Sequence, residues 1–194
     1  MMAARHGAIG VVPLGVGGDA VVRIIAANLQ ALFHLPVDIL PALTSPDYAL
    51  NGRRQQYNAA LILKRLAESR YAHRRVLGVA NVDLFIPVLT YVFGEAQLGG
   101  RAAVVSLHRL GARKNGGQAS LDILYERAAK VSVHELAHTF ALVHCNQRPE
   151  CVMGASYGLG DLDGTPLFFC DYCKAFLAEA YRRFDIQELD STGG

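Results

Sequence analysis

The chain has 194 residues, 52% of them hydrophobic, and a formal net charge of +2. This length suits one compact domain with a sizeable core, and the apolar content excludes an intrinsically disordered chain. Basic and acidic residues are interspersed, so we expect no nucleic-acid groove and no membrane-surface patch. The chain contains no run of about 18 apolar residues, so no membrane span is predicted. Residues 1–16 lack the features of a secretory signal peptide. We therefore expect a cytoplasmic protein, and a monomer.

The first half of the chain alternates predicted strands and helices. Strands are predicted at residues 9–14, 37–40 and 75–80, and helices at residues 20–32 and 54–69. The first helix is predicted from apolar residues that recur at helical spacing. Strand–helix–strand order predicts a twisted, mostly parallel sheet with helices packed on it.

A glycine-rich loop between the first strand and helix permits two interpretations. Gly15, Gly17 and Ala20 match the spacing of a dinucleotide-binding fingerprint. The acidic residue expected at the end of the second strand is missing, because Asp38 stands near its start. We favour a tight turn in which Asp19 caps the helix. A nucleotide-dependent oxidoreductase remains an alternative function.

The second half of the chain contains shorter predicted strands and a long helix. Residues 83–93 are predicted to hold a turn and a short edge strand, and residues 102–107 a further strand. A long helix begins near residue 120 and carries His134, Glu135 and His138. Two histidines four residues apart project from one helix face, so both imidazoles can reach one metal ion. Glu135 is placed to act on a metal-bound water, although this motif alone also occurs by accident on amphipathic helices.

His144 is the candidate third ligand. It lies six residues after His138, which on a continuous helix is a rise of about 9 Å. Ligands at about 2.1 Å from one zinc lie only a few ångström apart. The helix must therefore end after about Phe140 and the chain must fold back. Three imidazoles would leave the fourth tetrahedral position open, as in a catalytic site. In an alternative arrangement, His144 joins the cysteines and Glu179 completes the histidine pair.

The chain contains four cysteines, Cys145, Cys151, Cys170 and Cys173. Without a predicted export signal, such cysteines indicate metal ligands before disulfides. The last two also stand at the start of a helix predicted over residues 174–183, where the pKa of a thiol falls in redox motifs. We favour one structural zinc held by all four thiolates over a redox dithiol.

Together these motifs resemble the archaemetzincins, a branch of the metzincin zinc peptidases. The residues that carry the resemblance are His134, Glu135, His138, His144, Cys145, Cys151, Met153, Cys170 and Cys173. Residues 56–59, 83–87 and 91–96 also resemble the family, so the resemblance extends from about residue 9 to about residue 176.

The resemblance implies a single-domain α/β, metzincin-like fold over residues 1–194. About residues 1–138 would form the sheet and helices, including the active-site helix. About residues 139–194 would form a small C-terminal subdomain with the Met-turn and the cysteine site. Met153 would be the Met-turn residue beneath the zinc site, and the four cysteines would hold a second zinc.

The implied function is that of a metalloprotease, a hydrolase with one catalytic and one structural zinc per chain. Zinc on the three histidines would lower the pKa of a bound water to about 7. Glu135 would take a proton from this water as it attacks the scissile carbonyl, and pass the proton to the leaving amine. A peptide or protein substrate would bind as an added strand, along an edge strand near residues 102–107. Tyr157 could line the specificity pocket.

One residue departs from the family pattern. Metzincins usually carry glycine three residues after the second histidine, where this chain has Ala141. An L-residue with φ > 0 costs about 1–2 kcal/mol, so we expect the turn to be strained or built differently. A catalytically idle zinc-binding or interaction module is therefore the alternative function.

Overall fold

A five-stranded sheet lies at the centre of the computed structural model, which describes residues 9–15, 19–113, 116–147, 150–184 and 186. The strands are β1 (Ile9–Leu14), β2 (Val37–Ile39), β3 (Leu50–Asn51), β4 (Gln56–Asn58), β5 (Arg75–Ala80), β6 (Leu84–Ile86), β7 (Leu89–Val92), β8 (Gly94–Ala96) and β9 (Ala102–Ser106). The helices are α1 (Asp19–Phe33), α2 (Ala59–Ala67), α3 (Leu121–Thr139), α4 (Leu159–Gly164) and α5 (Asp171–Phe184).

The central sheet has the strand order β2-β1-β5-β9-β8. Its first four strands run parallel, and β8 pairs antiparallel with β9 at one edge. Every residue of β1, β5 and β9 is buried, as expected for parallel strands covered on both faces. The predicted α/β fold, with a mostly parallel sheet and an edge strand, is confirmed.

Successive residues of the central strands contribute to two separate cores. Ile9 and Val11 of β1 pack into the larger core with α1, α3 and α5, whereas Val12 and Leu14 pack into a smaller core with α2. This division follows from the alternation of side chains across a strand. Helix α3 contacts α1, β9 and β8, so the helix that carries the candidate ligands lies beside the edge strand.

The prediction of an edge strand at residues 102–107 was wrong. Strand β9 is paired on one side with β5 and on the other with β8, so its backbone has no free edge. The edge is formed by β8, which has only three residues. So short a strand shows no period-two pattern by which sequence reasoning could have found it.

A second, four-stranded sheet, with the order β3-β4-β6-β7, was not predicted as a sheet. Its strands have two to four residues each. Asp83 holds it in place, because its carboxylate accepts hydrogen bonds from Gln56 Nε2 (3.0 Å) and from Arg109 Nε and Nη2 (2.6 and 2.7 Å). The turn and short edge strand expected at residues 83–93 are present as residues 87–88 and β7, which lies at the edge of this sheet, and β6 precedes them.

The predicted helix at residues 54–69 begins later than expected. Residues 56–58 form β4, and α2 starts only at Ala59. Asn58 caps this helix, since its side-chain oxygen accepts the N–H of Ala60 (3.0 Å). Asparagine is a preferred N-cap residue, and this local signal marks the true boundary.

The C-terminal helix α5 is bound to the end of α1 by aromatic packing and one buried hydrogen bond. Tyr181 Oη donates to the carbonyl oxygen of Phe33 at 2.6 Å. The ring of Phe140 lies 5.5 Å from that of Phe33 and 5.4 Å from that of Tyr181. Phe140 directly follows α3, so these contacts fix where the chain leaves the candidate metal centre. Among the described helices, none is both long and apolar enough to cross a bilayer.

Candidate metal centre and cleft

Helix α3 presents His134 and His138 one turn apart, and backbone carbonyls orient both rings. His134 Nδ1 donates to Val152 O at 2.8 Å, and His138 Nδ1 donates to Leu142 O at 2.6 Å. A carbonyl oxygen can only accept, so each Nδ1 carries the hydrogen and each Nε2 keeps a free lone pair. Such a second contact fixes the tautomer that a metal ligand needs.

The chain reverses immediately after the second histidine. Phe140 follows α3, and Ala141 has a φ of 67°. The Ala141 N–H donates to His138 O (2.9 Å), and the Leu142 N–H donates to Ala137 O (3.3 Å). These two bonds are those of a Schellman motif, in which the left-handed residue is usually glycine. The predicted helix end is confirmed, and of the two turns that were expected the strained one is found. Ala141 therefore gives no geometric support to an idle module.

The reversal brings His144 to the other two histidines. One ring nitrogen from each of the three lies within 4.8 Å of the others. The His144 ring centroid lies 5.1 Å from each of the His134 and His138 centroids. The alternative with Glu179 is not the arrangement found, since Glu179 Oε2 lies 2.5 Å from Arg182 Nη2 on the exposed side of α5.

The histidine cluster fits a divalent zinc ion by a simple distance test. His134 Nε2 and His138 Nε2 are 3.0 Å apart, and two nitrogens at about 2.05 Å from a tetrahedral zinc are about 3.3 Å apart. Burial and the neighbouring histidines lower the pKa of His134 to about 4, and burial lowers the pKa of His138. Both rings are therefore neutral near pH 7. Two lone pairs that converge without a proton between them favour a cation at that point.

Glu135 lies beside these ligands and faces the same cleft. Its side chain is half-buried, and desolvation together with the Glu95 carboxylate raises its pKa well above the usual value. Burial also raises the pKa of Glu95, which stands on the edge strand β8. The two carboxylates therefore lie in an environment that favours proton uptake, unlike that of a surface glutamate.

The cleft in front of the three histidines has a volume of about 430 Å³. Its walls are mostly apolar and come from β7, β8, α3, α4 and the loop after α3. Representative lining residues are Leu89, Tyr91, Phe93, Val143, Val152 and Leu162. Tyr157 also lines it, and 87% of its side chain is exposed.

Helix α4 forms one wall of the cleft and is tied to α3 by two buried cations. Arg127 makes a bidentate ion pair with Asp163 at 2.6 and 2.9 Å. Lys130 Nζ donates to Leu162 O (3.2 Å) and Asp163 O (3.3 Å), and lies 2.6 Å from Glu126 Oε1. Burying two cations without such partners would be very costly. Their partners fix the position of this wall.

Met153 is fully buried in the turn that follows Cys151. The Gly154 N–H donates to Cys151 O (2.9 Å), and the Cys145 N–H donates to Met153 O (2.8 Å). The preceding residue, Val152, supplies the carbonyl that orients His134. This turn therefore connects the histidine cluster directly to the cysteine cluster.

The four cysteines form the second cluster, with all four Sγ atoms within 4.8 Å of one another. They are free thiols, and three of them are buried. Cys145 Sγ is 3.7 Å from Cys170 Sγ, and Cys151 Sγ is 3.6 Å from Cys173 Sγ. Sulfurs at about 2.3 Å from a tetrahedral zinc are about 3.8 Å apart. These distances fit a four-thiolate zinc site and are far too long for disulfides, whose S–S bond is about 2.05 Å.

The redox alternative for these cysteines lacks support. Reactive thiols need a lowered pKa and access to solvent. Burial and the neighbouring thiols raise the pKa of Cys173, and burial raises the pKa of Cys151. Both residues are almost fully buried. The environment instead suits thiols that lose their protons to a metal ion.

The dinucleotide alternative also finds no support among the described residues. Asp38, the acidic residue near the start of the second strand, pairs with the His73 ring at 3.0 Å. Residues 16–18 of the glycine loop and the side chain of Asp19 lie outside the described part of the chain, and so does the proposed helix cap. The loop is therefore described only at Gly15, which has a φ of 63° and close contacts to Ser45.

Sequence reasoning missed several residues of the centre. The carbonyls of Leu142 and Val152 orient the two helical histidines, but a backbone group leaves no mark in the sequence. Glu95 influences Glu135 through a contact between elements 40 residues apart in the chain. The only available signal was that residues 91–96 belong to the stretches that carried the resemblance.

Comparison with known proteins identifies similar chains across most of this length. A sequence model of peptidase family M54 matches residues 20–179. The archaemetzincin of Methanocaldococcus jannaschii is 36% identical over 161 residues, which is 83% of this chain and 87% of the relative. That of Archaeoglobus fulgidus is 35% identical over 163 residues, 84% of this chain and 94% of the relative.

Solved structures show the same likeness. The crystal structure of archaemetzincin from Methanopyrus kandleri has a TM-score of 0.80 at 30% identity, and covers 92% of this chain and 97% of that one. The structure of the Archaeoglobus fulgidus archaemetzincin has a TM-score of 0.76 at 34% identity, and covers 87% of this chain and 99% of that one.

Proposed function

This chain belongs to peptidase family M54, the archaemetzincins, which makes it a zinc metallopeptidase, and from that premise we propose how its residues divide the work. His134, His138 and His144 bind the catalytic zinc, and Glu135 is the general base. The four cysteines bind a second, structural zinc, so the chain holds two zinc ions. Met153 is the Met-turn residue that supports the histidine site from the buried side.

One observation supports the catalytic assignment most strongly: three imidazole nitrogens converge beside a half-buried carboxylate that lines the same open cleft. Zinc bound there supplies Lewis acidity, which lowers the pKa of water and polarises a carbonyl group. Three protein ligands leave one tetrahedral position for chemistry. All three histidines line the cleft, so a substrate bound there could reach the ion that they would hold.

Glu135 performs the proton transfers. Its carboxylate accepts a proton from the attacking water and delivers it to the nitrogen of the leaving amine. A raised pKa suits this work, because an efficient general base has a pKa near the operating pH.

The substrate is a peptide that binds along the free edge of β8. Among the described residues this strand pairs only with β9, so the backbone groups on its other side can pair with an extended peptide. The cleft beside this edge is lined by the apolar residues Leu89, Tyr91 and Phe93. Apolar side chains of the substrate could pack against them. Tyr157 lines the pocket for one such side chain.

Reduced thiolates suit the cytoplasm, where we place the protein.

Glu135→Gln tests this function, with metal analysis and a peptide-library cleavage profile measured on the same samples. The zinc content should be unchanged, because Glu135 is not a ligand. Turnover should fall by about 10²–10⁴-fold, the range expected for loss of a general acid–base group. Unchanged turnover in the variant, or no cleavage by the zinc-loaded unmutated protein, would refute the proposal.

A further inference from the structure

Gly94 is the first residue of the edge strand β8, and it lies directly against the side chain of Glu135. It pairs with Val105 of β9 and is buried. An ideal Cβ built on Gly94 would lie 2.5 Å from Glu135 Cγ and 2.9 Å from Glu135 Cδ. Distances under 3.0 Å essentially never occur for a real Cβ. The position therefore has no room for any side chain while Glu135 keeps its place.

The glycine is not explained by backbone conformation. Positive φ angles occur at Gly15, Gly99, Gly116 and Gly117 among the described glycines, and Gly94 is not one of them. An L-residue could adopt its backbone angles without strain. What excludes a side chain is the approach of Glu135, together with the backbone oxygen of Val104 at 2.9 Å from the ideal Cβ.

We infer that Gly94 is a positioning residue for the general base, because the Glu135 side chain packs directly against its backbone. The inference rests on the proposed role of Glu135. A glutamate has three rotatable side-chain bonds and would otherwise sample several directions. Contact of its Cγ and Cδ with a strand held by pairing to β9 removes part of that freedom. The carboxylate is thereby kept beside the histidines, where the proton transfer occurs.

A methyl group at position 94 would have a defined consequence. To restore an ordinary contact of 3.4–4 Å in place of 2.5 Å, the Glu135 Cγ or the strand must move by about 1 Å. A misplacement of about 1 Å can lower the rate of a positioned reaction by roughly 10²-fold. No histidine atom is among the three atoms nearest to this methyl group, so the affinity for zinc should be preserved.

The first test compares Gly94→Ala with Gly78→Ala, a second buried strand glycine of the same sheet. The ideal Cβ at Gly78 would meet Leu66 Cδ1 at 2.8 Å and Leu14 Cδ1 at 3.0 Å, in the core on the α2 face. Both variants should melt at a lower temperature and retain full zinc content. Gly94→Ala should lower kcat by about 10- to 100-fold with little change in KM. Gly78→Ala should leave both kinetic constants unchanged.

The second test does not need activity. Gly94→Ala is introduced into the unmutated protein and into the Glu135→Ala variant, and the melting temperatures of the zinc-loaded proteins are compared. Two of the three atoms nearest to the added methyl group, Glu135 Cγ and Cδ, are absent in the Glu135→Ala background. The loss of melting temperature caused by Gly94→Ala should therefore be smaller there. If the Gly94→Ala variant does not fold, the double variant with Glu135→Ala should fold. That recovery would also show that the added methyl group clashes with the Glu135 side chain.

These tests separate the inference from the proposed function. An undiminished kcat in zinc-loaded Gly94→Ala would overturn the positioning role. An equal loss of melting temperature in both backgrounds, or failure of both to fold, would overturn the contact itself. Full activity of Glu135→Gln would instead refute the proposed function. The comparison of melting temperatures would still decide whether Gly94 contacts the Glu135 side chain.

Discussion

The histidine cluster and the cysteine cluster are joined at adjacent residues, His144 and Cys145, yet they are built in opposite ways. The histidines are half-buried or exposed and face an open cleft, whereas three of the four thiols are buried in the larger core. The histidines come from one helix and the loop after it. The cysteines connect that loop to the Met153 turn and to α5. An open site keeps a ligand position for chemistry, and a closed one links segments of the chain.

This difference implies that the zinc ions proposed for the two clusters would contribute differently to stability. The cysteine cluster ties together segments that are 28 residues apart at their ends, Cys145 and Cys173. Metal bound only by the folded chain stabilises folding directly. The histidines on α3 are already held by the helix and by two carbonyls, so the fold there depends less on the ion.

The largest expected effect is that of Cys170→Ser. Loss of one thiolate should release the structural zinc and leave buried thiols without a metal, and the protein should melt far lower or aggregate. Zinc binding in structural sites is worth on the order of 10 kcal/mol in small domains. Metal analysis and thermal melts on protein prepared under reducing conditions measure both consequences. A single zinc in the unmutated protein, or cysteines found as disulfides, would contradict the comparison.

His138→Ala is the reciprocal change at the open site. It should remove the other zinc and abolish peptide cleavage, while the fold and the cysteine-bound zinc remain. We expect only a small shift of melting temperature, because the contacts of α3 with the larger core are unchanged. The far-UV circular dichroism spectrum and the count of one zinc per chain provide the check. Unfolding as severe as that of Cys170→Ser would show that both sites are structural.

The smallest expected effect concerns Ala141, which lies at the turn between the two clusters. Because its φ is 67°, Ala141→Gly should relieve backbone strain and stabilise the protein by about 1 kcal/mol. Such a change raises the melting temperature by about 2–4 °C in a protein of this size. Zinc content and kcat should be unchanged.

A matched control for this change is Ala27→Gly, an exposed position within α1. In an ordinary helix, alanine to glycine should destabilise by about 0.5–1 kcal/mol. The two substitutions should therefore shift the melting temperature in opposite directions. Destabilisation by Ala141→Gly would mean that the Schellman turn is not maintained by the zinc-loaded protein.

Much of the candidate site follows from local rules and was predicted. The four-residue spacing of His134 and His138 places both rings on one face of α3, because helix geometry is nearly independent of context. The reach of a metal ligand requires the chain to reverse before His144, and the helix does end at Thr139. The predicted bounds of the strands β1 and β5 are also confirmed.

What local rules could not decide is which segments lie side by side. Strand β8 has three residues and the strands of the second sheet have two to four, too few for a periodic pattern. Sequence alone therefore determined the ligand types, their spacing on α3 and the need for a turn. The tertiary structure decided that β8 rather than β9 is the free edge, and that Gly94 lies against Glu135. These contacts arise from packing between segments far apart in the chain, where neither residue carries a local signal of its partner.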